Sequence, residues 1–326
     1  MNALRRYVGI VSLFLAMASA SSTAHAETLR IAFSTWVGYG PLYVAEEQGF
    51  FGDEGVEVHL IKFEEGQAEA LFNGQIDAWP SDFLTVIAQQ PADESPLLCV
   101  FAFDESAGGD GVVATQDIQS IADLKGKAVA FDDETVSEFY LNVLLDEVGL
   151  SAADIESVIL DAQDAGEAFM LQEVDAVVTW EPSLTSAKTT EHGHLLTDSS
   201  SHPGLIVDGL FALSDVLETR REEFKAVARA WDRAVGFVEA HPDEAIEIMA
   251  RNVGGWLEDP AEFATTMKGV NFYDKTRNQE YFGTAENPGE IYEMVQHAID
   301  VWSKLGRLKK KGLAPADLIA HGIWDE

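Results

Sequence analysis

The chain has 326 residues, 47% of them hydrophobic and 10% aromatic, which is enough apolar material for a core and excludes a disordered or collagen-like chain. Its 21 basic and 56 acidic side chains give a formal charge of −35. Such a surface repels phosphate backbones and anionic lipid headgroups, which argues against nucleic-acid or membrane binding through a basic patch. We interpret the acid excess as an adaptation to a salty medium, with an ordinary acidic protein as the alternative.

The N-terminus has the pattern of an export signal. Arg5 and Arg6 precede an apolar stretch from Val8 to Ala20, and Ala24-His25-Ala26 has the small residues of a cleavage site. The apolar stretch has about 13 residues, fewer than the roughly 20 that span a bilayer. We therefore expect cleavage after Ala26, no membrane insertion of the mature chain, and a periplasmic location.

Hydrophobic runs and turn residues predict alternating strands and helices in the first third of the chain. In order, they are a strand Leu29 to Phe33, a helix Pro41 to Gln48, a strand Val56 to Phe63, a helix Ala68 to Asn73, a strand Ile76 to Trp79, a helix Asp82 to Gln90 and a strand Leu97 to Phe103. This repeated βα pattern predicts a parallel, doubly wound sheet.

A second, smaller α/β unit follows Gly111. Its predicted elements are strands Val112 to Thr115, Ala128 to Phe131, Val158 to Leu160 and Ala176 to Thr179, and helices near Ile121 to Leu124, Val136 to Val148 and Gly166 to Gln172. A further strand, Leu205 to Leu213, is followed by a mainly helical region with helices Arg221 to Ala240, Asp243 to Arg251 and Pro288 to Leu305.

This order predicts two lobes joined by two crossings, near Gly108 to Gly111 and near Pro203 to Asp208. Glycines at both places can absorb a hinge rotation. We assign residues 27–110 and 205–326 to lobe I and residues 111–204 to lobe II. One large α/β domain is the alternative.

Several segments carry a family resemblance. They are residues 34–45 (STWVGYGPLYVA), 49–51 (GFF), 73–78 (NGQIDA), 123–127 (DLKGK) and 174–182 (VDAVVTWEP). In this order they resemble the SsuA/THI5-like solute-binding proteins, which serve importers of nitrate, sulfonate, taurine and thiamine precursors. The resemblance implies a type II periplasmic-binding-protein fold that closes over a small ligand, acts as a monomer and delivers the ligand to an ABC permease.

Ligands of open α/β sheets bind outside the carboxyl ends of the strands, so the residues there are candidate ligand contacts. These positions are rich in carboxylates and aromatic rings and contain neither Lys nor Arg. The candidates are Ser34, Trp36, Tyr39, Trp79, Ser81, Asp82, Asp104, Ser106, Asp110, Trp180 and Glu181, with Thr135 added from the start of a helix and Asp208 from the second crossing.

These candidates favour a cationic ligand, or a neutral ligand rich in hydrogen-bond donors. Two like charges about 4 Å apart cost around 4 kcal/mol at an effective dielectric near 20, so an anion would need basic partners. A guanidinium, amine or aminopyrimidine compound would be bound by carboxylates and by Trp or Tyr faces. A receptor for sulfonate, taurine or nitrate, held by backbone N–H groups, stays open, as does an enzyme or metal carrier on this fold.

Each candidate also has a plainer explanation. Trp36, Trp79 and Trp180 could be packing residues, and Asp82 is suited to cap the helix after it. Asp104 and Asp110 could be ordinary surface charges in so acidic a chain.

Metal and catalytic signals are weak. His192, His194 and His202 lie close together and offer a transition-metal site, but we interpret them as solvated loop residues. We find no hydrolase, metalloprotease or phosphate-loop motif, and predict no catalytic residue, metal or cofactor.

Overall fold

The computed structural model describes residues 28–63, 65–92 and 95–325. The predicted signal peptide and its cleavage point at Ala26 lie outside the described residues.

The first part of the chain alternates strands and helices largely as predicted. Its elements are β1 (Leu29–Phe33), α1 (Gly40–Glu47), α2 (Phe50–Asp53), β2 (Val58–Lys62), α3 (Gln67–Phe72), β3 (Trp79–Asp82), α4 (Phe83–Ala88) and β4 (Leu97–Ser106). Pro41 lies in the first turn of α1. Backbone N–H groups in a first turn have no acceptor within the helix, so proline, which lacks the N–H, costs no hydrogen bond there.

The second part of the chain contains β5 (Asp110–Thr115), β6 (Ala128–Phe131), α5 (Val136–Glu147), β7 (Glu156–Ile159), α6 (Ala162–Met170), β8 (Ala176–Trp180), α7 (Ser183–Lys188) and β9 (Gly193–Asp198). The remainder contains β10 (Val207–Leu213), α8 (Ser214–Thr219), α9 (Arg221–Ala240), α10 (Pro242–Val253), α11 (Pro260–Thr266), β11 (Val270–Phe272), α12 (Lys275–Phe282) and α13 (Ile291–Leu305). Strands β9 and β11 are not among the elements predicted from the sequence.

The strands form two main sheets. The first has the order β11-β4-β10-β3 with antiparallel neighbours, and the parallel pair β1-β2 lies beside it through a bridge between Ile31 and Ala78. The second has the order β7-β6-β8-β5-β9, in which β6 is parallel to β7 and β8, while β5 is antiparallel to β8 and β9.

The expectation of a parallel, doubly wound sheet is therefore met only in part, because β1-β2 and β7-β6-β8 are parallel while the other neighbouring strands are antiparallel. Parallel neighbours need a crossover connection, usually a helix, and β6 and β8 have one. Strands β5 and β10 instead enter their sheets directly from the other sheet, so they run antiparallel to their neighbours.

The two connections between the sheets run side by side. Residues 107–109 join β4 to β5, and residues 199–206 join β9 to β10. The Ser199 hydroxyl is fully buried, accepts a hydrogen bond from the Gly108 N–H at 2.7 Å and lies 2.8 Å from the Ser106 hydroxyl. Gly108 has a φ of 121°, which L side chains rarely adopt. The crossings are thus hydrogen-bonded to each other.

The C-terminal region contacts both lobes. The Trp302 indole donates to the Leu84 carbonyl at 2.8 Å, and the Trp302 ring lies 5.5 Å from the Phe139 ring of α5. Beyond α13, the Arg307 guanidinium pairs with the buried Glu138 carboxylate at 2.7 Å. Among the described helices, none is both long and apolar enough to cross a membrane.

Candidate functional site

A cleft of about 1160 Å³ lies between the two sheets, lined by residues that follow the strand ends of both. Most of the predicted candidates are brought together there: Ser34, Trp36, Tyr39, Trp79, Ser81, Asp82, Asp110, Thr135, Trp180 and Asp208.

Three aspartates form a row across the first sheet beside this cleft. Asp208 on β10 is paired with Asp82 on β3 at one side and with Asp104 on β4 at the other. Their exposed fractions are 5%, 9% and 0%. Like charges directly opposite each other on neighbouring strands are unfavourable. We refer to these three residues as the aspartate row.

Burial is the main reason why the pKa values of the aspartate row are raised. It raises the pKa of Asp104 to about 8 and that of Asp208 well above its usual value, where Asp104 and Asp82 add to the effect. The pKa of Asp82 is raised less, because hydrogen bonds from Thr85 oppose the effect of burial.

The side chains that donate hydrogen bonds to the aspartate row are neutral. The Tyr39 hydroxyl donates to Asp208 Oδ1 at 2.6 Å, and the Trp36 indole donates to Asp104 Oδ1 at 3.2 Å. Asp82 accepts from the Thr85 N–H at 2.8 Å and from the Thr85 hydroxyl at 2.6 Å. Asp82 therefore caps α4, as the plainer explanation held, and also lines the cleft.

Asp110 brings a carboxylate to the cleft from the second sheet. It is the first residue of β5, directly after the first crossing, and is paired with Trp180 of β8. Burial raises the pKa of Asp110 to about 7; a hydrogen bond with Ser106 lowers it and the charge of Asp82 raises it further.

Three predicted candidates do not line the cleft. Asp104 lies on the central part of the first sheet and accepts a hydrogen bond from the Trp36 indole N–H. The Ser106 hydroxyl lies within hydrogen-bond distance of Ser199 in the crossing. Glu181 is 2% exposed and precedes α7, with which it makes its contacts: it accepts from the Thr185 N–H at 2.9 Å and pairs with Lys188 at 3.2 Å.

A second set of carboxylates in the cleft is not among the predicted candidates. Asp132 directly follows β6, Asp161 precedes and caps α6, and Glu65 follows β2. Burial raises the pKa of Asp132 to about 7, with further increases from Asp133, Asp161 and Glu65. The signal was available, because these residues also follow strand ends.

The cleft is acidic. In the ranges that the structure describes, no Lys, Arg or His lines it. Its carboxylates are Glu65, Asp82, Asp110, Asp132, Asp133, Asp161, Asp164, Glu167 and Asp208.

The three neighbouring histidines make separate contacts. His192 Nε2 lies 3.0 Å from the Phe169 carbonyl oxygen, and His202 Nε2 lies 3.0 Å from Glu147 Oε1. His194 is a residue of β9, so its interpretation as a loop residue is wrong. Within the described residues, no group of three or more His, Cys, Asp or Glu side chains could hold a metal ion.

Comparison with known proteins gives consistent matches. The family model described as NMT1/THI5 like matches residues 36–245. A putative binding protein of Brucella abortus (strain 2308) is 24% identical over 318 residues, covering 93% of this chain and 95% of its own length. A putative aliphatic sulfonates-binding protein of Bacillus subtilis (strain 168) is 28% identical over 240 residues, covering 71% and 72%.

A solved structure shares the fold. The periplasmic aliphatic sulphonate binding protein SsuA from Escherichia coli matches with a TM-score of 0.74 and 20% identity, covering 92% of this chain and 100% of that chain. This likeness confirms the predicted periplasmic-binding-protein fold with its two α/β lobes.

Proposed function

The chain belongs to the NMT1/THI5-like family, and on that premise we propose that it is the solute-binding component of an ABC importer. Its ligand is a small nitrogen-containing solute, either cationic or rich in hydrogen-bond donors, such as a guanidinium, amine or aminopyrimidine compound. The ligand is held in the cleft between the lobes.

The observation that carries this proposal is the charge of the cleft. Carboxylates line it from both lobes, and none of its described residues is basic. A buried carboxylate without a positive partner is costly to ionise, which is why the pKa values of Asp82, Asp110 and Asp208 are raised. A bound cation lets these groups ionise and accept its hydrogen bonds. An anion would add like charge to the same place.

Closure follows from the position of these groups on different lobes. Asp82 and Asp208 lie on the first sheet, whereas Asp110 and Trp180 lie on the second. A ligand that touches both sets binds the closed form better than the open form, and so shifts the equilibrium toward closure. The faces of Trp36 and Trp180 each add roughly 0.5 to 2 kcal/mol to the binding of a cation.

The proposed role implies where the protein acts and with what. The protein is exported after cleavage behind Ala26, acts in the periplasm as a non-enzymatic monomer, and delivers its ligand to a membrane permease. We keep the lobe boundaries at residues 27–110 with 205–326 and at 111–204. The membership of the strands in the two sheets supports these boundaries except at Asp110, which is the first residue of β5 and pairs within the second sheet.

A receptor for sulfonate, taurine or nitrate is the second candidate, favoured by the name of the Bacillus subtilis relative. It requires an anion to bind among the cleft carboxylates through neutral donors, namely backbone N–H groups and the hydroxyl, amide and indole groups of the cleft.

A thermal-shift panel at high salt separates the two. The probes are methylguanidinium, ethylammonium, 2-aminopyrimidine, taurine and nitrate. We expect one or more of the nitrogen compounds to raise the melting temperature, because a ligand that binds only the folded state stabilises it. A rise with taurine or nitrate alone would overturn the proposed ligand class.

A further inference from the structure

Thr85 links a cleft carboxylate to the second lobe through hydrogen bonds. Its side chain is buried and lines the cleft. The Thr85 hydroxyl donates to Asp82 Oδ2 at 2.6 Å and accepts a hydrogen bond from the Val136 N–H at 3.1 Å. Asp82 ends β3 in the first sheet, whereas Val136 begins α5, which connects β6 to β7 in the second sheet. One hydroxyl group therefore contacts both lobes.

Thr85 supplies an acceptor that the N-terminus of α5 needs. The first N–H groups of a helix have no acceptor within that helix. The Thr135 hydroxyl accepts from the Ser137 N–H at 3.2 Å, but the Val136 N–H donates to Thr85 of the other lobe. Because Val136 is buried, removing this acceptor while the lobes stay together leaves a costly unpaired donor. The bond therefore favours the arrangement in which α5 contacts α4.

The charge of Asp82 acts on α5 through the same hydroxyl. The N-terminus of a helix carries a partial positive charge and is stabilised by a nearby negative charge. Hydrogen bonds in a chain polarise one another, so a hydroxyl that donates to a carboxylate accepts more strongly than one that donates to a neutral carboxyl group. Ionisation of Asp82 therefore strengthens the bond between Thr85 and Val136.

We propose that Thr85 is a positioning residue that transmits ligand binding at Asp82 to closure of the two lobes. A cation that ionises Asp82 strengthens the bond from Val136 to Thr85, and this bond holds α5 against α4 in the closed form. A ligand bound at Asp82 thus favours closure without itself contacting α5. The inference rests on the proposed function, because that function places a cation at Asp82.

Two substitutions of Thr85 separate its hydroxyl from the rest of the side chain. Thr85→Val keeps the shape of the side chain and removes the hydroxyl, whereas Thr85→Ser keeps the hydroxyl. Pulsed electron resonance measures the distance between the lobes, with spin labels on His59→Cys and Leu171→Cys, one exposed position on each lobe. Cys99 is fully buried, so it remains unlabelled.

We expect saturating methylguanidinium to shift both the protein with Thr85 and the Thr85→Ser variant toward the shorter distance. In Thr85→Val, the closed-to-open ratio should be lower by about three- to tenfold, the effect of losing one hydrogen bond between the lobes. Saturation removes the influence of affinity on this ratio. A role of Thr85 confined to folding would change the melting temperature and leave the ratio intact.

Thr266→Val is the matched control. Thr266 is a similarly buried threonine of α11, and its hydroxyl donates to the Glu262 carbonyl at 2.7 Å, outside the cleft. This variant should leave the closed-to-open ratio unchanged.

An unchanged ratio in Thr85→Val, or equal reductions in Thr85→Val and Thr85→Ser, would overturn the inference while the cation proposal stands. If taurine or nitrate closes the lobes and neither methylguanidinium nor ethylammonium binds, the proposed function itself fails. Should Thr85→Val fold poorly, Thr85→Ala decides, because it removes the hydroxyl without placing a stiff β-branched side chain in the helix.

Discussion

Tyr39 donates its hydroxyl hydrogen to Oδ1 of Asp208 at 2.6 Å, which joins the segment after β1 to the strand after the second crossing. Both side chains are buried, and burial together with the charge of Asp208 raises the pKa of Tyr39 well above its usual value. The tyrosine therefore stays a neutral donor. It orients Asp208 at the cleft without giving it a positively charged partner.

Replacing Asp208 by Asn should weaken cation binding without destabilising the empty protein. The variant loses a charge-assisted hydrogen bond of about 1.5 to 3 kcal/mol, which corresponds to roughly 10- to 150-fold in affinity. It also removes like-charge repulsion from the aspartate row. Calorimetry with the best cationic probe and urea denaturation measure the two effects. Asp243→Asn, on the exposed first turn of α10, is the matched control. Unchanged affinity in Asp208→Asn would contradict the role given to this carboxylate.

The stability of the ligand-free protein should fall as the pH rises from about 5 to about 8. The pKa values of Asp104 and Asp110 are raised to about 8 and about 7, so the folded chain retains protons that the unfolded chain releases above about pH 4. The contribution of these two groups to stability is fully present at pH values below their pKa in the unfolded state. It is lost as the pH rises through their pKa in the folded state, and it does not change further above that pH. Urea denaturation across this range checks it, and Asp110→Asn should show a shallower slope. A stability that rises with pH over this interval would count against these pKa shifts.

Ser199→Ala should destabilise the hinge. The substitution leaves the N–H of the half-buried Gly108 without the acceptor it has at 2.7 Å, and the loss of one such hydrogen bond costs about 0.5 to 1.5 kcal/mol of unfolding free energy. Denaturant unfolding measures the loss. Ser201→Ala, an exposed serine of the same crossing, should change stability by less than about 0.5 kcal/mol. Equal effects of the two substitutions would show that the Ser199 bond does not hold the crossings together.

Arg307→Met should remove the ion pair between the C-terminal segment and α5 and so lower the free energy of unfolding. Glu138 is 6% exposed and would lose its cationic partner at 2.7 Å. Because the Arg307 side chain is 31% exposed, solvent screening limits the cost to about 1 to 3 kcal/mol. Adding Glu138→Gln should recover part of this loss, since it removes the unpaired charge. Lys311→Met, at an exposed lysine nearby, is the control for charge removal. Full additivity of the two substitutions would mean that the pair does not interact.

The local sequence pattern was sufficient to predict many helices and strands, but not which strands pair with each other. The predicted bounds of β1 and β6 are those observed, because both are short apolar runs with clear ends. The three residues of β11 carry too little pattern, and their place beside β4 comes from tertiary pairing.

The site was predictable where position along a strand determines it. Asp82 was proposed because it follows a predicted strand and Asp208 because it lies in the second crossing, and both line the cleft. Asp132 and Asp161 follow strands in the way that Asp82 was expected to. The pairing of Asp82 with Asp208 depends on an antiparallel register between strands far apart in sequence, which no local pattern reveals. Glu181 was misplaced because its contacts with Thr185 and Lys188 are local to α7.

The most direct test of an acidic, cation-binding cleft is the pH dependence of ligand affinity. Calorimetric titration of methylguanidinium between about pH 5.5 and 8.5 should show affinity rising with pH, with protons released on binding, as Asp110 and its neighbours ionise around the ligand. Taurine or nitrate binding that strengthens toward low pH, with no binding of methylguanidinium or ethanolamine at any pH, would contradict the account.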